Sequence, residues 1–281
     1  MAIDNFIPEI WSAQLLENLR KNLVYGSVVN TDYEGEITKY GDTVHIQNIG
    51  SINIFDYTKN TDMSSPQMLN DGTRALVINQ AKAFNFQVDD IDKAQQNPKI
   101  MQKAMEEASY ALADVKDRFI ASSYVDAGSQ IGDDTKPIVP TSENAYDHLV
   151  DLAVVLSEND IPRTNRWVVI PEWFHGLLLK DDRFVKSTPL GDNVLLNGLV
   201  GRAAGFNVFT SNNVPSTGGA QYKVIAGHPS AITFAQQLTN LEAYRPEKRF
   251  ADAVKGLALY GAKAIKPKAL AVLTANKTIV K

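Results

Sequence analysis

The sequence predicts an α+β fold in four parts: an N-terminal arm, an extended β-hairpin loop, one long helix, and an α/β lobe followed by further strands. Three observations carry this. Residues 98–125 place Met101, Met105, Ala108, Leu112, Val115 and Phe119 at alternating steps of four and three, the repeat of one helical face. Thr43-Val44-His45-Ile46-Gln47 alternates with the two-residue period of a strand, and Ile52–Phe55 follows after Gly50-Ser51. The apolar runs Arg166–Ile170 and Tyr222–Gly227 read as buried strands of a compact α/β unit.

The long helix comes first because it sets the scale. Lys99, Lys103, Glu106, Glu107, Asp114, Lys116, Asp117 and Arg118 fall mostly on its other faces. Pro98 suits a first turn, where its missing N–H costs nothing, and Gly128 lies where the chain can turn away. At about 1.5 Å per residue such a helix is a rod roughly 42 Å long. Helical spacing by itself fits an amphipathic core helix or a short coiled coil equally well.

Composition bounds the rest. A chain of 281 residues can bury one large core or two compact lobes, and 44% hydrophobic with 21% charged residues describes a folded protein. A net charge of −4 argues against a chain whose main task is gripping nucleic acid, while allowing a wall that encloses it. There is no cysteine, so disulfides and thiolate chemistry are excluded. The opening MAIDNFIPEI lacks the basic and apolar regions of a signal peptide, and no apolar run approaches the ~20 residues of a membrane span. These features place the chain in cytoplasm, or in something assembled there.

Taken in order, residues 1–30 form an arm, with Ile10, Trp11, Leu15, Leu16, Leu19 and Leu23 as an apolar stripe after Pro8, ended by Gly26. Residues 31–80 form the hairpin region, whose polar interval 58–72 precedes strand character at Ala75–Asn79; Ala83–Val88 continues it. A two-stranded ribbon with few large apolar residues is marginal in water, so it either takes support from outside the subunit or lies on a closed domain. After the long helix, 129–144 is a loop rich in Gly, Pro, Ser and Asp, the boundary of the lobe. Asn144–Ser157 is a helix with Ala145, Leu149, Leu152, Ala153 and Leu156 on its apolar side. Pro171 ends one strand and opens the short helix PEWFHGLLL. Strands follow at Phe206–Thr210, Ala231–Phe234, Leu238–Tyr244 and Ala269–Leu273, while Phe250–Tyr260 fits strand or helix equally.

The residues of chemistry are scattered. His45, His148, His175 and His228 never pair at i+3 or i+4, and without cysteine a zinc site would need distant partners. Asp89, Asp90 and Asp92 could hold a hard cation or simply turn the chain into the helix. The glycines 198, 201 and 205 precede a strand instead of opening a helix, so they turn backbone and cradle no phosphate. Glu158 and Asp160 suit a loop beside a proline, and Lys263, Lys266 and Lys268 are too sparse for a nucleic-acid footprint. The expectation is a chain that is not an enzyme, with no catalytic residues, no cofactor and no metal.

The order of parts resembles the major capsid proteins of tailed bacteriophages, with the HK97-type fold. IPEIWSAQLLENLRKNLVYGSVVN and YGDTVHIQNIG are similar to that family's arm and extended loop. Gly201-Arg-Ala-Ala-Gly205-Phe206-Asn-Val208, then Ser211-Asn212-Asn213-Val214-Pro215, is similar to a pattern of its lobe, and Tyr260–Leu273 to its closing strand. The resemblance spans essentially the whole chain. It implies an arm at 1–30, an extended loop at 31–80, a peripheral domain at 81–140 with the spine helix 98–125, an axial domain at 141–235, and peripheral return strands at 236–281. It also implies a virion shell of hexamers and pentamers around double-stranded DNA held without sequence specificity, with a portal and no membrane. Some members begin with a scaffolding segment; this chain begins almost at its arm, which implies a separate scaffolding protein or none. No single Lys–Asn pair stands out for crosslinking. Trp11, Leu15, Phe55 and Tyr57 are the expected interface anchors, because aromatics dominate such contacts; burial within the subunit is their alternative. An encapsulin-like compartment shares this fold, and an α/β enzyme or ligand binder using 141–235 is the third reading.

Overall fold

A computed structural model describes residues 23–33, 41–49, 71–89, 100–181, 183 and 199–277, with the isolated positions 54, 56, 59 and 62. The largest unit is a mixed seven-stranded sheet. Its strands are β4 (Ser129–Ile131), β5 (Trp167–Ile170), β6 (Leu199–Ala203), β7 (Phe206–Thr210), β8 (Ser216–Thr217), β9 (Gln221–Gly227) and β12 (Leu270–Asn276). They run in the order β4-β12-β9-β5-β7-β6, with β8 added beside β9.

The two-residue period sorts the side chains of this sheet onto two faces. Val168, Ile170, Val224, Ala226, Ala271 and Leu273 pack with Leu149, Leu152 and Leu156 of a helix, Ala145–Glu158, and with Phe174 of another, Glu172–Leu178. Trp167, Val169, Ile225, Leu270 and Val272 point the other way, against Tyr25, Ile120, Phe234 and Tyr260. Both faces are covered, which is why these strands read as unbroken apolar runs. Gly205 turns the backbone, while Gly201 lies within β6 at its bulge: β6 and β7 form a hairpin whose two loop residues, Ala204 and Gly205, have φ of 49° and 85°. Positive φ at both positions matches the twist of the strands, the usual solution for a two-residue loop.

The second sheet has three strands, in the order β10 (Ile232–Tyr244), β11 (Ala251–Ala264) and β3 (Gln80–Asp89). Two of its strands are single elements where the sequence left a break or a choice. The runs 231–234 and 238–244 join into β10 through a bulge between Leu238 and Asn240, and 251–260 proves to be strand, with Phe250 in the turn before it. The hairpin pairs β1 (Thr43–Ile49) with β2 (Asp71–Val77). Its base has internal support: Val44, Ile46, Leu76 and Ile78 are buried against Ala235, Leu259 and Ile265. The outside support expected from its polarity is therefore not needed at the base.

Two sequence expectations need correction. The final strand, expected with the returning strands of 236–281, instead lies inside the seven-stranded sheet, antiparallel to β9 and parallel to β4. Its residues 270–275 are all buried, so it needs cover on both faces, and only the middle of the larger sheet gives that. Likewise β10 crosses the boundary drawn at 235.

The long helix is the second correction. It runs Ile100–Ala121 and tightens into a 3-10 turn at Ser122–Asp126, where the Ser122 hydroxyl donates to the Phe119 carbonyl at 2.6 Å. Its buried face is rotated from the one the apolar spacing marks. Met105, Ser109, Leu112, Ala113, Lys116, Asp117 and Ile120 are buried, while Val115 is 38% exposed. Beyond the turn Gly128 is required sterically, since a Cβ there would lie 2.7 Å from the Pro267 carbonyl oxygen.

Candidate assembly surfaces

The buried polar residues of the long helix show how it is fixed. Lys116 sends its ammonium to Gln236 Oε1 at 2.9 Å and lies over the Tyr260 ring. Asp117 accepts from the backbone N–H of Val24 at 2.7 Å and of Gly26 at 3.2 Å. Those donors belong to the root of the N-terminal segment, at the start of the short helix Tyr25–Val28. Sequence spacing placed both charges on solvent faces; what overrides it is a pair of partners about a hundred residues away along the chain, invisible to local periodicity.

The lobe is stitched by further charges, Arg166 and Lys223 buried and Arg183 half exposed. Arg166, 3% exposed, donates to the carbonyls of Ala153, Ile161 and Pro162 and to Ser157 Oγ, capping the C-terminal end of helix Ala145–Glu158. Lys223 is bound by Asp134 and by Thr274 Oγ1. Arg183 bridges Asp181 and Asp147, and that guanidinium holds the Asp181 carboxyl below the usual carboxylate range. Each of these charges ties two segments of one subunit together.

Surface apolar residues gather elsewhere. β10 and β11 form a long ribbon whose turn carries Arg245, Lys248, Arg249 and Phe250, the last 85% exposed. Ile54, between the hairpin strands, is 95% exposed. Val150 and Val154 sit one turn apart on the outer side of helix Ala145–Glu158, beside a cleft of about 620 Å³ bounded by Arg163, Ala204 and Gly205. The outward face of the ribbon is polar by contrast. Lys255 pairs with Glu242 at 2.7 Å, and Asn85 with the Tyr244 hydroxyl.

The sequence candidates fall as follows. Trp11, Leu15, Phe55 and Tyr57 lie outside the described residues. Asp89 ends β3, and Asp90 and Asp92 also lie outside. His45 is exposed on β1, His148 and His175 lie on the two lobe helices, and His228 Nδ1 is held by Ser230 at 2.9 Å. Among the described residues no cluster of His, Asp or Glu has the geometry of a metal site, and no helix is long and apolar enough to cross a membrane. Phe250 escaped the sequence reading; an aromatic inside the charged run 245–250 is its one signal.

The likenesses to known proteins agree with this arrangement of parts. The phage capsid protein family matches residues 73–273, most of the chain. No curated protein matches it significantly. A solved chain of Mycobacterium phage Che8 is 28% identical, with 91% of each chain covered and a TM-score of 0.70. The capsid structure of cyanophage P-SCSP1u gives a TM-score of 0.66 at 14% identity, over 89% of this chain and 86% of that one. An encapsulin complex of Synechococcus elongatus shares the fold at a TM-score of 0.57 and 12% identity, over 86% and 85%. A long helix laid across a β ribbon, an arm root, a hairpin and an α/β lobe are thus the HK97-like fold of a structural subunit, and the chain belongs to the phage capsid protein family as a major capsid protein of the virion shell.

Proposed function

We propose that copies of this chain join as hexamers and pentamers and close into an icosahedral shell around double-stranded DNA, which the shell encloses without reading its sequence. The observation that carries this is the exposure of Phe250 at the turn of the β10–β11 ribbon and of Ile54 between the hairpin strands, 85% and 95% in water, among further exposed apolar residues such as Tyr110, Val125 and Leu179. Weak contacts repeated over many copies become collectively strong when the assembly closes. In this reading the chain has no catalytic role, assembles in host cytoplasm, and works with a portal and a separate scaffolding protein. The arm at 1–30 and the loop at 31–80 reach neighbouring subunits, with Trp11, Leu15, Phe55 and Tyr57 as anchors. Apart from the strand at 129–131, the 81–140 segment forms the peripheral part with 236–264, and 141–235 forms the axial part together with the strands at 129–131 and 270–276. The mild negative charge suits an inner wall that does not trap DNA.

Expression of the full chain, alone and with a scaffolding protein, tests this by sedimentation and negative-stain microscopy. Closed particles tens of nanometres wide are expected. A monomer under both conditions overturns the reading, and particles that enclose a protein cargo and no DNA turn it toward a cellular compartment. Alanine at each of the four anchors is expected to cut particle yield without changing subunit folding by circular dichroism.

A further inference from the structure

We propose that the turn of the β10–β11 ribbon docks on the outer face of the long helix of a second copy, with Phe250 against Tyr110 and with Lys248 and Arg249 facing Glu106 and Glu107. The proposal rests on the shell reading and names one of its contacts. The two patches lie at the same end of the subunit. Ile120 shares an apolar cluster with Tyr260, Leu112 and Ala113 share one with Ala258, and Met105 shares one with Val254. Going back along the helix therefore follows β11 toward its first residue, Ala251. Tyr244, which ends β10, pairs with Ala253 beside it. The start of the helix thus points to the 245–250 turn, while Ile120 at its far end joins the cluster beneath the seven-stranded sheet.

Charge and exposure make these patches match between copies. Met105 and Ser109 are buried, whereas Glu106, Glu107 and Tyr110 are exposed, the tyrosine to 58%. Phe250 is 85% exposed, so neither ring is covered within its own subunit. The turn holds Arg245, Lys248 and Arg249 against one acid, Glu247; the helix start holds Glu106 and Glu107 against one cation, Lys103. Arg245 is engaged by Asp252 of its own ribbon at 3.4 Å. Lys248 and Arg249 are both exposed beside the phenylalanine. An aromatic pair ringed by opposite charges has the make-up of an interface centre and its rim, the rings supplying the anchor and the charges setting register. Since both patches lie at one end, the contact forms about a rotation axis through that end, with the seven-stranded sheets pointing away. With those lobes gathered at the axes of hexamers and pentamers, the contact joins neighbouring capsomers and acts in closing the shell.

The chain has no cysteine, so Lys248→Cys with Glu107→Cys in the full chain introduces its only thiols. Mild oxidation followed by a non-reducing gel is expected to give covalent dimers and larger species, in clear excess over either single-cysteine chain. A charge exchange is the second measurement. Lys248→Glu is expected to lower the yield of closed particles about tenfold at low salt, with capsomers still seen in sedimentation, and Glu107→Lys in the same chain is expected to restore it. Should the double-cysteine chain not assemble, the exchange decides alone. Particles without the crosslink, or an exchange without rescue, overturn the docking and leave the shell reading standing. Crosslinked species from a chain that never forms particles keep the contact and remove the shell; neither crosslinks nor particles removes both.

Discussion

The two larger sheets of this subunit differ in where their side chains find cover. In the seven-stranded sheet every residue of β5 is buried, and Trp167 and Val168 point into opposite apolar clusters. In the three-stranded sheet, β3 alternates between half-buried and exposed, so that Phe84 and Phe86 meet the long helix while Ala83, Asn85 and Gln87 face outward. The first sheet completes its core within one chain. The second is covered by the long helix on one face and only by the hairpin base on the other, so its ribbon end stays uncovered. Stability is thereby placed in the larger sheet, and the ribbon end of the smaller one is the part we propose to meet other copies.

The sharpest way to break that comparison is to empty the larger sheet. Trp167→Ala removes the largest fully buried side chain among the described residues. It is expected to cost about 3–5 kcal/mol, read as a lower urea midpoint. The lobe is expected to lose its cooperative transition altogether if the subunit starts near the lower end of ordinary domain stability. A loss below about 1 kcal/mol would show that the lobe draws support from outside itself.

The smaller sheet has its own tight point. Gly256 faces Phe84 across the β11–β3 ladder, and a Cβ at that position would lie 2.4 Å from the Phe84 ring. Gly256→Ala is expected to cost about 1–3 kcal/mol through forced movement of the ring. Phe84→Leu in the same chain is expected to restore part of it, and urea unfolding of single and double variants measures the coupling. Full additivity would mean that the ring moves freely and the sheet is loosely packed.

How much of this was legible beforehand follows the range of the interactions. Helix Ala145–Glu158 shows its buried face in the sequence because Leu149, Leu152 and Leu156 are apolar and nothing distant competes for them. The long helix misleads because Lys116 and Asp117 are charged yet buried, satisfied by Gln236 and by the backbone of residues 24 and 26. Period finds faces only where burial and polarity agree. Strand β12 was recognised as a strand but not placed, since pairing partners are set by tertiary register and leave no local mark. The anchors Trp11, Leu15, Phe55 and Tyr57 lie outside the described residues, so their part of the assembly surface rests on composition alone. Phe250 was missed for the opposite reason: its neighbours are charged, and a charged run reads as solvated loop.

Surface pairs on the outer face of the ribbon are expected to matter little for folding. Lys255 and Glu242 are each about half exposed, and Glu242→Gln is expected to change stability by about 0.2–1 kcal/mol at low salt and less at high salt. A larger change would show that this face is desolvated in solution, as it would be if copies already covered it.

The smallest expected effect on the subunit belongs to Phe250→Ser, and it separates the two roles most cleanly. With 85% of its surface in water, Phe250 gives almost nothing to the fold, so its loss is expected to leave the urea midpoint within about 0.5 kcal/mol of the parent. In a shell the same ring can fill a pocket of a neighbouring copy, and every subunit carries one. A defect of even about 1.4 kcal/mol per contact weakens each contact tenfold and compounds as the shell closes. Sedimentation is then expected to show folded, unassembled subunits. Normal particles from Phe250→Ser would mean that the ribbon end stays in solvent after assembly and that the apolar ends of this subunit do not mark where copies meet.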